Sequence, residues 1–306
     1  MEHLFIVNPA AGKGHAIAMA EHIRRRFENT LLSWRIVETR EPGHATLLAR
    51  EAAAAQPGVN IYSVGGDGTV NEIVNGLAGT DVPLGILPCG SGNDTLRTLT
   101  DIQDPLLLLE GILDAPALRT DLGRLNDRWF LNIASVGFDA EVVDRTRKYK
   151  KIPLVPGSLA YILGVLTALV QRNLHEVTLS LDGGEPVTAS LLLAAFANGR
   201  FYGGGMQPVP FASMTDGLLD CCRVSPLSRI RILGFFPLFI KGEHTHLKEV
   251  TLTPFHKLHL ECATVLPVNI DGELTSARIV DVSVHPGHLL LKQPAGAFAQ
   301  TVRSYP

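Results

Sequence analysis

Ile61-Tyr62-Ser63-Val64-Gly65-Gly66-Asp67-Gly68-Thr69-Val70-Asn71-Glu72-Ile73-Val74-Asn75-Gly76-Leu77 is the stretch whose reading decides the fold. Ile61 to Val64 reads as a short buried strand. Val70, Ile73, Val74 and Leu77 recur at i, i+3, i+4 and i+7, the spacing of one helical face. Between strand and helix stand three glycines around one acid. In open α/β sheets the carboxyl end of a strand is where ligands bind. Glycines let backbone N–H groups approach phosphates closely, and a helix N-terminus favours negative charge. Asp67 adds an acceptor for Mg²⁺, directly or through water. The plainer alternative is a tight strand-to-helix turn with no ligand, and three glycines around an acid count against it.

Outward from this loop the same alternation continues. Leu4 to Val7 reads as a strand, Asn8-Pro9-Ala10-Ala11-Gly12-Lys13-Gly14 as a loop, and Ala16, Ala20, Ile23 and Phe27 as a helix face. Trp34 to Thr39 is a further strand. His44 to Gln56 is an alanine-rich helix ended by Pro57-Gly58, and Leu84 to Leu87 is a fourth strand. This β-α-β-α order predicts an α/β domain, a parallel sheet with helices on both faces. After about residue 120 the pattern changes. Trp129 to Ser135, Glu176 to Leu181, Thr188 to Ala197, Leu218 to Val224, Lys257 to Ala263 and Ile279 to His285 are strand-like, several of them alternating. They predict a β-rich antiparallel sandwich. Helices are expected near Leu159 to Arg172 and Ser228 to Gly242. The chain thus divides into an α/β domain over 1–122 and a β-sandwich over 123–286, with 287–306 returning to the first. A ligand cleft is expected between them.

Composition narrows the function. The 306 residues are 46% hydrophobic and 19% charged, as in a globular chain. A net charge of −3 leaves no global basic field for nucleic acid. The four cysteines form no CxxC pair, so a zinc site is not expected. The start, Met1-Glu2-His3-Leu4, does not look like a signal peptide. The most apolar segments, Leu159 to Val170 and Ile230 to Ile240, fall short of the roughly 20 residues that span a bilayer. A cytoplasmic protein is expected. His244 with His246, and His256 with His259, lack a third ligand and read as hydrogen-bonded or surface residues.

Two familiar phosphate loops are excluded. Gly12-Lys13-Gly14 lacks the upstream glycine and following Ser/Thr of a Walker loop, and Gly66-Asp67-Gly68-Thr69-Val70-Asn71 lacks the third glycine of the dinucleotide fingerprint. A second small-residue loop, Pro88-Cys89-Gly90-Ser91-Gly92-Asn93-Asp94, follows the fourth strand. There Ser91 could donate to a phosphate and Asn93 or Asp94 could brace the backbone. With Asn8 to Gly12 it makes three such loops on one sheet edge, more than folding alone explains.

Asn8-Pro9 with Gly12, Gly65 to Glu72, and Gly90-Ser91-Gly92-Asn93-Asp94 together resemble the motifs of the diacylglycerol kinase catalytic-domain family, which sphingosine and ceramide kinases share. The resemblance runs through Asp216-Gly217-Leu218-Leu219-Asp220 and Asp271-Gly272-Glu273 and covers nearly the whole chain. It implies an NAD-kinase-like first domain, a β-rich second domain and an active site between them. It implies ATP and Mg²⁺ as cofactors. Asn8, Pro9, Ala10, Ala11, Gly12, Thr39, Gly65, Gly66, Asp67, Gly68, Thr69, Val70, Asn71 and Ser91 resemble the ATP site, with catalytic Mg²⁺ near Asp67. Glu273 matches the proton acceptor. Ser213, Asp216 and Leu218 match a structural magnesium site. The loop at Ser91 is somewhat like the sphingosine-kinase form, where many bacterial members carry Thr.

Glu273 also makes chemical sense unaided, since phosphoryl transfer to an alcohol needs the hydroxyl oriented and its proton accepted. A plain hairpin turn is the alternative there. Asp121 and Asp94 are weaker candidates for a water-mediated magnesium network. The expected acceptor is a lipid alcohol, diacylglycerol first, met at a membrane surface. Arg145, Arg147, Lys148, Lys150 and Lys151, and the run Ile230 to Ile240, are candidate membrane contacts, each balanced by a solvated-loop or core reading. An NAD-kinase-like small-molecule kinase and a non-catalytic nucleotide or lipid sensor are the rival functions. The presence of both Asp67 and Glu273 counts against the sensor. Oligomeric state stays open, a homodimer included.

Overall fold

The structure is a computed structural model that describes residues 2–56, 58–150, 152, 163–164, 167–168 and 174–294. Strands β1 (Glu2–Val7), β2 (Ser33–Glu38), β3 (Val59–Gly65) and β4 (Pro83–Pro88) form a parallel sheet in the order β4-β3-β1-β2. β3 is buried at every residue and β1 at nearly every one, as strands covered on both faces must be. Helices α1 (His15–Phe27), α2 (His44–Ala55) and α3 (Asp67–Leu77) follow the first three strands. Phe5 lies opposite Tyr62 in register, stacks on its ring at 4.7 Å and meets Phe27 of α1 edge-on at 5.4 Å. Burial of such side chains, about 1.5–3 kcal/mol each, is the main term holding the domain together. Two short helices, α4 (Asp94–Leu99) and α5 (Pro105–Ile112), complete it.

The second domain is an antiparallel β-sandwich. Its strands are β5 (Ala117–Leu125), β6 (Arg128–Phe130), β7 (Ile133–Gly137), β8 (His175–Leu181), β9 (Val187–Leu191), β10 (Leu193–Ala197), β11 (Leu219–Val224), β12 (Val250–Phe255), β13 (Lys257–Ile270) and β14 (Glu273–Lys292). Alternation places Ala194, Phe196 and Cys221 in one core and Leu193, Ala197 and Cys222 in another on the opposite face. The second core is roofed by α6 (Phe138–Lys150) and α7 (Arg229–Lys241). Helix α7 is bounded as its sequence dictates. The Ser228 hydroxyl accepts the Arg231 N–H, and Gly242 closes the far end at φ 74°. All four cysteines are free and buried.

Strand β14 ties the two domains. Its start pairs antiparallel with β13, its middle with β5, and Leu290 and Leu291 pair parallel with Pro83 and Leu84 of β4. One sheet path therefore runs from the first domain into the second.

Two strand expectations need correction. Trp129 to Ser135 is split between β6 and β7, and Thr188 to Ala197 between β9 and β10. The second break falls at Leu192, whose N–H goes to Val224 and whose carbonyl takes the Phe138 N–H. The helix expected over Leu159 to Arg172 lies outside the described residues, apart from four positions, and so does the chain beyond residue 294.

Candidate active site

The three small-residue loops meet at one sheet edge because their backbones touch. Gly12 sits at φ 63°, and a Cβ there would fall 1.9 Å from the Cys89 carbonyl oxygen. A Cβ on Gly90 would fall 2.6 Å from the Gly66 Cα. Only bare glycine permits both contacts. The loops are further pinned by the Cys89 N–H to Gly65 O at 2.7 Å, the Asn8 N–H to Val64 O at 3.0 Å, and the Asn8 side-chain amide to the Thr69 hydroxyl at 3.0 Å. Asn93 braces its loop by exchanging hydrogen bonds with Gly90, donating to its carbonyl at 3.2 Å and accepting its N–H at 3.1 Å.

These loops form one wall of a cleft of 1110 Å³. Asn8 to Gly12, Thr39, Gly66 to Thr69 and Ser91 all line it. Two carboxylates stand at its floor. A Cβ on Gly92 would lie 3.0 Å from an Asp67 oxygen and 3.4 Å from an Asp94 oxygen, so the two acids share one corner. Asp67 accepts the Thr95 N–H at 3.2 Å. Burial pushes its carboxyl upward, against several backbone donors. Burial first, and then the Asp67 charge, push Asp94 up to about 6. One Asp94 oxygen accepts the Gly204 N–H at 2.7 Å, and the other, buried and without a hydrogen bond, lies 4.0 Å from the Arg97 guanidinium. A buried corner with two crowded carboxylates fits a divalent cation.

The opposite wall comes from the second domain. Asp271 and Gly272, at φ 46° and 90°, make a two-residue turn between β13 and β14, which sets Ile270 opposite Glu273. The hairpin alternative is therefore correct as geometry, and the turn also faces the cleft. The Glu273 carboxylate reaches across to the first turn of α3, where a Cβ on Gly68 would lie 3.6 Å from it. Asp271, two residues earlier, turns inward. Its carboxylate accepts the N–H groups of Leu131 at 2.8 Å, Asn132 at 3.0 Å and Ile133 at 2.9 Å, and the Asn71 amide at 3.0 Å. Burial pushes that carboxyl upward, against these four donors.

Gly65, Val70 and Asn71 do not line the cleft. Asn71 is buried beneath it and its amide also reaches the Trp129 carbonyl at 3.1 Å, so this residue couples the domains rather than facing a ligand. Ser213, Asp216 and Leu218 also lie off the cleft, on the loop before β11. Asp216 accepts the Leu218 N–H at 3.2 Å, and Asp121 braces that loop by accepting the Gly217 N–H at 2.7 Å and the Gly287 N–H at 2.8 Å. Among the described residues no cluster of three or more His, Cys, Asp or Glu could hold a metal, so a cation at this loop would lean on backbone carbonyls. His244 is buried against the Pro208 carbonyl at 3.1 Å, and His259 lies between Asp281 and Glu261. Of the basic cluster, residues 145–150 belong to α6, where Lys148 pairs with Asp144 at 2.6 Å, and Lys151 lies outside the described residues.

Two features escaped the sequence reading. One is the Asp271 clamp. The other is Tyr202 to Met206, whose Gly203, Gly204 and Gly205 all have positive φ and line the second-domain wall. Three consecutive glycines were the available signal.

Glycine loops on a parallel sheet, facing an acidic turn of a β-sandwich across one cleft, define an enzyme of NAD-kinase-like architecture. Comparison with known proteins carries this further. A sequence model of the diacylglycerol kinase catalytic domain matches residues 2–125, and one of the YegS C-terminal NAD kinase beta sandwich-like domain matches residues 132–292. A diacylglycerol kinase of Mycobacterium tuberculosis is 33% identical over 296 residues, 94% of each chain. The crystal structure of a putative diacylglycerol kinase from Bacillus anthracis superposes with a TM-score of 0.78 at 25% identity, covering 97% of this chain and 98% of that one. An NAD kinase from Archaeoglobus fulgidus, solved in complex with ATP, shares the fold alone, with a TM-score of 0.51 at 13% identity over 96% and 94% of the two chains. The chain belongs to the diacylglycerol kinase family and is a lipid kinase. Among the described residues no helix is long and apolar enough to cross a membrane.

Proposed function

We propose that the chain transfers the γ-phosphate of ATP to the free hydroxyl of diacylglycerol, giving phosphatidic acid, with Mg²⁺ as the accompanying cation. The observation that carries this reading is the place of Glu273, an acid of the second domain set against the Gly68 backbone of the first. In this reading residues 1–122, with 287–306, hold the nucleotide and 123–286 the lipid.

Asn8 to Gly12, Gly66 to Thr69 and Ser91, which line the cleft, would cradle the phosphates through N–H groups and hydroxyls, with Gly65, Val70 and Asn71 supporting the loop from behind, and Thr39 would border the nucleotide. Asp67 and Asp94 would hold Mg²⁺, which supplies charge neutralisation at the transferring phosphoryl group. Glu273 would orient the acceptor hydroxyl and take its proton as the new O–P bond forms and ADP leaves. Such a base contributes typically about 10²- to 10⁴-fold. Ser213, Asp216 and Leu218 would hold a second, structural cation outside the cleft. The protein would work from the cytoplasm, touching the membrane during turnover.

The test offers purified protein, Mg²⁺ and labelled ATP to diacylglycerol, sphingosine and NAD. Label is expected in the lipid fraction, diacylglycerol above sphingosine. Label entering NAD alone would overturn the lipid acceptor, and absence of transfer would overturn the reaction.

A further inference from the structure

Helix α7 is apolar on both sides. At 100° per residue, Ile232, Phe235 and Phe239 fall on one side and are buried in the second-domain core. Ile230, Leu233, Gly234, Pro237 and Ile240 fall on an arc of about 120° on the other side, and all are exposed. Ile230 is 83% exposed, Leu233 54% and Ile240 38%. A surface helix ordinarily turns charged and polar side chains outward, so this face needs an explanation.

Two further observations identify what covers it. The helix carries three bases, Arg229, Arg231 and Lys241, and no acid. They stand at its two ends, so the apolar face is flanked by positive charge. Arg231 also meets Glu249. Second, the face is continuous with the candidate active site, because Ile240 lines the cleft. Other exposed apolar pairs, Leu31 with Leu32 and Leu106 with Leu107, have no such continuity, since neither they nor their neighbours line the cleft.

We propose that this outer face of α7 rests on an anionic phospholipid bilayer. Ile230 and Leu233 enter the boundary between headgroups and acyl chains, Lys241 meets lipid phosphates, and the cleft mouth at Ile240 opens beside the membrane. A helix lying in the interface with apolar residues beneath and bases at its edges binds by buried apolar area plus attraction to anionic lipid. The inference rests on the lipid-kinase reading for what passes from bilayer to cleft. Exposure, charge and continuity carry the surface itself.

The test sediments the full chain with phosphatidylglycerol or phosphatidylcholine vesicles, without nucleotide. Wild type should favour the anionic vesicles. Ile230→Asp with Leu233→Asp should weaken that binding about tenfold or more, from the lost apolar burial and the added charge. Turnover of a monomeric short-chain diacylglycerol should stay within about twofold, because both positions are exposed and outside the cleft wall. Leu233→Trp should show a blue-shifted emission with phosphatidylglycerol vesicles. Undiminished binding by the double variant, or an unshifted indole emission from the Leu233→Trp protein, overturns the proposal. So does a change of oligomeric state with vesicle binding intact, which assigns the face to a second copy of the chain. Vesicle binding lost in the double variant, in a wild type that phosphorylates no lipid, would sink the kinase reading and leave the surface standing.

Discussion

The first-domain wall of the cleft is held in shape by backbone contacts between glycine loops, whereas the opposite wall is anchored by the side chains of one hairpin turn. Gly12, Gly66 and Gly90 bring three loops into contact, and small residues line much of the surface they leave. Across the cleft, one hairpin turn supplies two acids with opposite fates. Asp271 accepts from four donors of both domains, and Glu273 faces the glycine loop at Gly68. A wall made of backbone depends on close approach, so it should fail through steric bulk. A wall made of side chains should fail one group at a time, and its two acids should fail differently.

The largest stability effect is expected from Asp271→Ala. It leaves three backbone N–H groups and the Asn71 amide without their acceptor, a loss of about 3–5 kcal/mol for a broken buried charged network. Chemical denaturation should show it, and Asp271→Asn should recover only part, because one face of the amide donates where the fold offers donors. A fully stable Asp271→Ala protein would remove the clamp from the account. Next comes Gly12→Ala, whose Cβ would collide with the Cys89 carbonyl. Overpacking costs about 1–3 kcal/mol and the left-handed φ about 1 kcal/mol more, with ATP affinity falling as the loops separate. Unchanged ATP titration would break the idea of a wall set by backbone contact.

The smallest effect concerns pH. Asp94 is raised to about 6 from its ordinary 3.8, by burial and then by Asp67. Its protonated form is the one the fold favours, so its stabilising contribution is full below about pH 4 and lost as pH rises through about 6. Wild type should therefore lose about 2–3 kcal/mol over that window relative to Asp94→Asn. Thermal melts at both pH values check it, and saturating Mg²⁺ should flatten the wild-type curve. Parallel curves for the two proteins would show that the acidic corner is not strained.

The sequence makes the first wall more legible than the second. β3, its glycine loop and α3 are contiguous, and each strand and helix there announces itself by periodicity and by glycine or proline punctuation. Ser228 and Gly242 likewise mark both ends of α7. What escapes is of three physical kinds. α4 and β6 are too short for a period to register. β5 mixes Arg119, Asp121 and Arg124 among its apolar residues, and Arg119 and Asp121 answer to Asp81 and Gly287, far away in sequence. β14 is one strand that serves two domains, and local patterning does not reveal a change of partner along its length. Asn71 shows the same limit at the site. Its position in the loop motif suggested the nucleotide, while its amide is held by a residue 200 positions away.

The most direct test of the central claim is Glu273→Gln, assayed by single-turnover transfer from ATP to diacylglycerol, with ATP binding titrated on the same preparation. Full ATP binding, an unchanged melting temperature and a transfer rate lower by about 10²- to 10⁴-fold are expected, the loss of a positioned base. Transfer at the wild-type rate would contradict the account, since the acid facing the glycine loops would then take no part in the reaction.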